Sequence, residues 1–582
     1  MSEAGEARAV APVRVQMGNK FEALRRQFAR LSWSAFSYRV ACLFYASPFY
    51  GYFLKGRVPV SLLTIPPDPW PGDATHGASI IAGKMSLSGA MIPIGDDPWD
   101  WQRLSYPDLV LAELHGFGWL SDLRTVGGDA ARRRARELVA SWINAYPTWH
   151  SLSWRLPILG ARLAAWLSHY EFFCASADDI FRGLFFQSLA QQARHLLRAV
   201  KSETDPLSTI LALKGALYVV LALPELVEDD QEKLAQLIKT LTHEMEQQIR
   251  MDGCYASRTP SHHLGVLRLL IDIRAAFAAG GYEIPSALQG AIELMAPALR
   301  HLRHGDGGLA IFNGGSEEKP WIVDMVLSQA DARGRARRRI PEAKSFTEGG
   351  FERLMAGRMM VMIDAGLPPA SGFDRVAHAG TLALEVSVGR DRLIVNCGAP
   401  LAGQKGWGHL PRTTAAHSVL IVHNTNSSEI LSPGGLGHRP SQVKVIREES
   451  EGNIWLDSAH DGYEKRFGLT HRRRLYLAAT GEDLRGEDSL EGEGSADFVV
   501  RFHLHPKVKA QITQDRHAAL LQVGNSGWRF RAAGGELGLE DSVYFGDGNY
   551  RRTQQIIIKG RTGEDGRSGA MVKWALRKER YT

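Results

Sequence analysis

The stretch Arg375-Val376-Ala377-His378-Ala379-Gly380-Thr381-Leu382-Ala383-Leu384-Glu385-Val386 is followed further on by Arg412-Thr413-Thr414-Ala415-Ala416-His417-Ser418-Val419-Leu420. In both, a histidine opens an alternating apolar run, the pattern of a half-buried β-strand. Each imidazole is therefore expected at a strand edge beside a sheet, and two such imidazoles can share one ligand. Asn396 ends another short apolar run between them, which places His378, Asn396 and His417 on successive strand edges. Two imidazoles plus an oxygen donor suit a structural zinc ion, although an amide oxygen is a weaker ligand than a carboxylate. Structural hydrogen bonding of the same side chains is the competing reading.

Outward from this region the two halves of the chain have different periods. Beyond Phe351 the apolar period is 2, and the runs Arg392–Asn396, Ser418–Val422, Gln442–Ile446, Phe498–Leu504 and Gln554–Ile558 are short and bounded by turn residues. They predict an antiparallel β-sandwich. From about residue 105 to 335 the period is that of a helix, with Ala135, Leu138, Val139, Trp142 and Ile143 on one face of Asp129–Tyr146. Asp178–Val200 and Gln231–Met251 are also amphipathic, whereas Leu207–Leu223 is nearly all apolar, as in a helix covered on most sides. Short connections make these helices antiparallel hairpins, arranged as a bundle or a closed double ring, since no fixed repeat favours a solenoid. The expected divisions are an extension over 1–100, helical hairpins over 101–340 and the sandwich over 341–582. The run Arg333-Gly334-Arg335-Ala336-Arg337-Arg338-Arg339 reads as a solvated linker between them.

With 582 residues, 44% hydrophobic and 23% charged, the composition is that of a globular protein of two large domains. A formal charge of +6 favours anionic partners such as an acidic sugar polymer, and is too diffuse to argue for nucleic acid. The cysteines Cys42, Cys174, Cys254 and Cys397 stand apart without a C-x-x-C pair, as buried thiols rather than a disulfide scaffold. Residues 1–18 carry Glu3 and Glu6 and no early apolar run, so a cytoplasmic location is expected. The aromatic segment Trp33–Leu54 contains Arg39, Pro48 and Gly51, which argues against a transmembrane helix. With Arg25, Arg26 and Arg30 beside it, it either associates weakly with a membrane surface or packs on the helical domain.

The loop Met251-Asp252-Gly253-Cys254-Tyr255-Ala256-Ser257-Arg258-Thr259-Pro260-Ser261-His262-His263-Leu264 gathers proton-transfer groups with a carboxylate-binding one. Tyrosine and histidine move protons if their pKa values are shifted, and arginine holds a carboxylate in a bidentate fork. Packing of the helix pair by Tyr255 and one histidine is the alternative. Farther on, His460-Asp461-Gly462-Tyr463 with Thr470-His471-Arg472-Arg473-Arg474, and Arg501-Phe502-His503-Leu504-His505, read as a turn and alternating strands with surface pairs.

This loop, His304-Gly305-Asp306-Gly307-Gly308 through Phe312-Asn313-Gly314, and the His378–His417 region occur in an order that resembles the heparinase II/III-like polysaccharide lyases. The resemblance covers the chain from about residue 100 and implies an N-terminal (α/α) toroid of helical hairpins followed by a C-terminal antiparallel β-sandwich. It implies removal of the C5 proton of a uronate in heparan sulfate-like or alginate-like glycans and loss of the C4 glycosyl oxygen. An Asn or His neutralises the carboxylate, and Tyr and His transfer protons. By the resemblance the catalytic candidates are His262, at the family's tyrosine position, with His263 and Tyr255, and the zinc candidates are His378, Asn396 and His417. Many family members act in the periplasm or cell envelope.

The chain departs from the family pattern at several positions. Leu207-Ser208 stands where the family carries Asn-His, and Val376 and Gly380 flank His378 where His and Asp are usual. A lost charge-assisted contact in a transition state costs about 2.7 to 4 kcal/mol. Arg258 and Arg412 are the substrate-binding candidates that would replace it. Otherwise the chain is a glycan-binding or envelope-assembly protein that keeps the scaffold without the chemistry.

Overall fold

The structure, a computed structural model, describes residues 40–95, 100–102, 104–331, 345–404, 406–563 and 569–579. The basic residues Arg25, Arg26 and Arg30, the start of the Trp33–Leu54 segment and the Arg333–Arg339 run lie outside them.

Helix starts follow from local chemistry, with Asp73, Asp178, Asp205 and Asp229 accepting first-turn N–H groups and Pro206 and Pro260 in first turns. Leaving aside single turns such as Tyr50–Phe53, Tyr170–Phe173 and Glu464–Phe467, the helices are α1 (Ala74–Ile81), α2 (Asp108–Gly116), α3 (Leu120–Val126), α4 (Gly128–Ala145), α5 (Leu156–Ser168), α6 (Asp179–Ala199), α7 (Pro206–Ala222), α8 (Asp230–Gln248), α9 (Pro260–Ala279), α10 (Ser286–His301) and α11 (Pro320–Asp331). A hairpin of β1 (Lys84–Leu87) and β2 (Ala90–Pro93) follows α1.

The nearly all-apolar segment is α7, buried on almost every side among its neighbours. It crosses α5 so closely that a Cβ on Gly215 would stand 2.4 Å from Gly160 Cα. The hairpins form an (α/α) toroid. One core runs from Trp70, Ile80, Met85 and Ile92 to Val326 and Ala330, so the chain from Trp70 onward belongs with the toroid. Ahead of it, Tyr50 and Leu54 pack on Trp154, and the Tyr50 hydroxyl donates to His195 Nδ1 at 2.7 Å. Leu43, Phe49, Tyr52 and Phe53 of the same segment are exposed.

After the toroid come β3 (Ser345–Phe346), β4 (Phe351–Ala356), β5 (Met359–Asp364), β6 (Leu384–Val388), β7 (Asp391–Val395), β8 (Leu420–Val422), β9 (Val443–Ser450), β10 (Asn453–His460), β11 (Thr470–Leu477) and β12 (Asp483–Glu491). The remainder are β13 (Asp497–Leu504), β14 (Lys509–Ile512), β15 (Ala518–Val523), β16 (Ser526–Ala533), β17 (Glu536–Tyr544), β18 (Arg551–Arg561) and β19 (Ala570–Lys578). Two antiparallel sheets stack as a sandwich, one in the order β14-β15-β16-β19-β12-β11-β10-β9 and the other β17-β18-β13-β7-β6-β5-β4-β3, with β8 on β13.

Two sequence expectations need correction. His378 lies in the loop before β6 rather than at its edge, because the backbone turns through Gly380 and Leu382 before the strand begins. The Thr470–Arg474 stripe is only half exposed, because strand alternation turns His471 and Arg473 inward onto buried Asp488 at 2.9 and 2.8 Å. His503 and His505 are not surface pairs either, since both are buried.

The toroid meets the nine-stranded sheet through polar contacts. Arg258 pairs with Asp364 of β5, His304 Nε2 donates to Glu385 of β6 at 2.8 Å, and Arg392 of β7 donates to Asp306 at 2.8 Å. Cys254, Leu302, Ala310 and Phe312 join the sandwich core from the toroid side.

Candidate functional site

The candidate residues gather where the N-termini of α7 and α9 face the loops of the nine-stranded sheet. The Gly314-Gly315 turn lies between them. A Cβ on Gly315 would stand 3.2 Å from Pro260 Cδ, and one on Gly314 would stand 3.2 Å from His378 Nε2. The start of α9 and His378 therefore flank one turn, although 115 residues of chain separate His262 from His378 on either side of the domain boundary.

His263 is buried and spent on structure. Its Nε2–H donates to the Met295 carbonyl at 2.9 Å and its Nδ1 accepts the Tyr255 N–H at 3.3 Å. Burial pulls its pKa down to about 4, so it holds α9 to α10 as a neutral ring. Tyr255 is buried too, with its hydroxyl donating to Gln248 at 2.9 Å and burial pushing its pKa up. Gln248 in turn donates to the Pro206 carbonyl at 2.9 Å, so this tyrosine braces the start of α7. Arg258 donates to the carbonyls of Gly349, Gly350 and Leu367 at 2.7, 3.0 and 2.8 Å and to the Asp364 carboxylate. A guanidinium so saturated bolts the toroid to the sandwich and has no fork left for a substrate carboxylate.

His262, one residue before His263 on α9, points the other way. It is half-buried, its Nδ1 lies 3.2 Å from Ser257 Oγ, and its Nε2 has no hydrogen-bond partner among the described residues. Burial lowers its pKa, against an opposing pull from the Asp205 carboxylate. Asp205 caps α7 by accepting the Ser208 N–H at 3.0 Å. Arg412 is half-buried and donates to the Ala377 and Gly435 carbonyls, each at 2.9 Å, leaving Nη1 without a partner among the described residues.

The three zinc candidates are held in one hydrogen-bonded group. His417 Nδ1–H donates to the Thr413 carbonyl at 2.7 Å, which leaves Nε2 to accept from His378 Nδ1–H at 3.1 Å. The two rings meet edge to face, with these nitrogens turned toward each other. Asn396 donates to Ile311 and Glu385, and its oxygen accepts the Ser418 N–H at 3.0 Å. A Cβ on Gly380 would lie 2.8 Å from the His417 ring, so that ring fills the space a larger side chain would need. No group of three or more His, Cys, Asp or Glu side chains among the described residues could hold a metal ion.

Sequence reasoning passed over Asn313 and Glu385. Asn313 accepts the His378 N–H at 3.3 Å and donates to the Arg258 carbonyl and Asp364. Glu385, fully buried, takes His304 and the Ile311 and Asn396 N–H groups. Both lie inside quoted stretches, but a buried acceptor inside an apolar run carries no signal in the pattern itself.

A helical toroid capped by an antiparallel sandwich, with candidate residues at their junction, is the architecture of the toroid-and-sandwich polysaccharide lyases. Heparinase II/III N-terminus matches residues 99–328, and Heparinase II/III-like, C-terminal, matches residues 338–575. The curated relative FtsZ-localized protein C of Caulobacter vibrioides is 31% identical over 539 residues, covering 89% of this chain and 91% of that protein. The chain belongs to the heparinase II/III-like family. Its fold is similar to that of heparinase III, with a TM-score of 0.73 at 14% identity over 94% of this chain and 92% of the other. A heparan sulfate lyase from Pedobacter heparinus gives 0.62 at 15% identity, covering 92% of this chain and 88% of the other.

Proposed function

We propose that the junction binds a uronate-containing acidic glycan and performs a slow β-elimination on it, with His262 as the proton-accepting group. The observation that carries this reading is the division of labour in the loop. Tyr255, His263 and Arg258 are consumed by the scaffold, while His262 keeps an unengaged Nε2 on a ring that burial holds neutral. A neutral imidazole can accept the C5 proton, and as C4=C5 forms the departing C4 oxygen leaves as a hydroxyl with a proton from that imidazolium or from water.

The slow rate follows from the carboxylate side. Leu207 and Ser208 supply no charge at the start of α7, and Asp205 beside them is itself negative. A cation at the junction with a free donor is Arg412, through Nη1. The expected deficit is on the order of a hundredfold or more relative to a site with a full carboxylate clamp. Ultraviolet absorbance of the new carbon–carbon double bond, followed with heparan sulfate and alginate, tests it. Slow growth in the intact protein that vanishes in His262→Ala supports the proposal, and none from folded protein across the uronate panel refutes it.

A second reading, glycan binding or envelope assembly without chemistry, is favoured by Leu207, Ser208 and the acidic Asp205. The name of the Caulobacter relative places that protein at FtsZ. The exposed Leu43, Phe49, Tyr52 and Phe53 suit weak contact with a membrane surface. No helix among the described residues is long and apolar enough to cross a membrane. Under this reading glycan binding survives His262→Ala, and sedimentation with anionic vesicles is reduced by Phe49→Ser with Phe53→Ser.

A further inference from the structure

The outer face of the eight-stranded sheet carries an open groove of about 680 Å³, far from the junction, since the toroid's polar contacts reach the other sheet through Asp364, Glu385 and Arg392. Strand alternation and register decide what lines it. Trp455, Tyr476, Arg485, Ala575, Arg531 and Ala518 pair in succession across β10, β11, β12, β19, β16 and β15, forming one row. At the usual strand spacing of about 4.8 Å that row is roughly 24 Å long.

The row has an aromatic end and a cationic middle. Trp455 is 39% exposed, with its ring centroid 5.2 Å from that of Tyr476, and the Arg485 guanidinium lies 5.5 Å over the Tyr476 ring. The small side chain of Ala575 leaves a trough between Arg485 and Arg531, and Ala518 continues it beyond Arg531. Arg474, Arg529 and Lys573 line the sides, each paired with a carboxylate, Arg474 with Asp457 and Glu487, Arg529 with Glu579 and Lys573 with Glu487. Arg474 is paired with Glu487 at 2.7 Å and Arg485 with Asp483 at 2.7 Å, whereas Arg531 makes no ion pair among the described residues.

We infer that this groove is a second binding surface, for an anionic oligosaccharide carrying carboxylate or sulfate groups. Arginine forks match those groups, and exposed aromatic faces match the apolar face of a sugar ring. An acidic peptide would need main-chain partners as well, and the backbone under this face is already paired within the sheet. The surface would hold a long glycan to the protein independently of any chemistry at the junction, so the inference does not depend on the proposed elimination.

Titration calorimetry of the full chain with a size-defined heparan sulfate oligosaccharide tests it, with uncharged dextran and a polyglutamate peptide as controls. Arg531→Ser and Arg485→Ser should each weaken oligosaccharide binding by about tenfold, and Trp455→Ala should weaken it too. Dextran should not bind. All of these positions are surface side chains, and an unchanged thermal midpoint shows the variants are folded. Oligosaccharide binding with the same stoichiometry and affinity in all three groove variants as in the intact chain overturns the inference, whereas loss of one of two sites, with the junction site left, supports it. Polyglutamate binding as tight as the glycan's and indifferent to Trp455→Ala also overturns it, since that would make the groove a peptide surface.

Discussion

At the scale of single residues, chain position tells less than hydrogen-bond accounting. Neighbouring His262 and His263 have the same chemistry, yet helical geometry turns one toward the junction and the other into the core. The sequence placed both near a site, and nothing in the pattern separates them. Arg258 reads as a carboxylate binder because arginine is one, and only the structure shows its donors already taken. Arg258→Leu should therefore destabilise the fold by roughly 3–5 kcal/mol, because it leaves the Asp364 carboxylate buried without its cation. Urea unfolding measures this, and a loss below about 1 kcal/mol would mean the pair is not structural. Gly380→Asp restores the carboxylate of the family pattern, but its Cβ meets the His417 ring. The variant should lower stability by about 1–3 kcal/mol and acquire no zinc. Stoichiometric zinc in that protein by elemental analysis, with a raised melting temperature, would show that the histidine pair is a dormant metal site.

At the scale of elements, most of the fold was legible. The amphipathic helices over 129–146 and 178–200 appear as α4 and α6 within a residue or two at each end, because caps and periodicity agree. The all-apolar reading of 207–223 likewise holds as the buried α7. What could not be read was the contact that makes α7 central, since Gly160 and Gly215 touch through the ring and no local pattern announces it. One strand run was found but cut short, Gln442–Ile446 against Val443–Ser450 of β9, because an edge strand with both faces wet carries charges where alternation is sought. The junction was legible only as a set of weak motifs whose order carried the meaning. Gly215→Ala tests the central crossing. One methyl forced against Gly160 should cost about 1–3 kcal/mol, seen as a lower urea midpoint at unchanged slope. Gly183→Ala, on α6 with open space around its Cα, should be neutral or slightly stabilising.

At the scale of the whole molecule, the buried imidazoles set the response to acid. Burial holds His263 and His417 at about 4, and His115, His169, His195 and His503 at about 3, against an ordinary value of 6.5. The unfolded chain takes these protons near pH 6.5 and the folded chain refuses them until pH 4 or below. Between those limits the unfolded state binds more protons, so stability falls as pH falls, and above pH 6.5 these groups have no effect. At pH 5 each ring costs the fold about 2 kcal/mol, so the group together rivals the whole stability of a domain. The carboxylates act lower down, since hydrogen bonds and Arg392 hold Glu317 at about 2 against burial, and its contribution fades only below its ordinary 4.5. The rings sit in both the toroid and the sandwich, and the interface is tied by Arg258–Asp364, His304–Glu385 and Arg392–Asp306. Acid should therefore weaken both domains together. Scanning calorimetry is expected to show a midpoint that is flat from pH 8 to 6.5 and then drops steeply toward pH 5, in one transition. A midpoint steady down to pH 4.5 would assign the acid lability to carboxylates instead, and two separating peaks would show that the interface does not couple the domains.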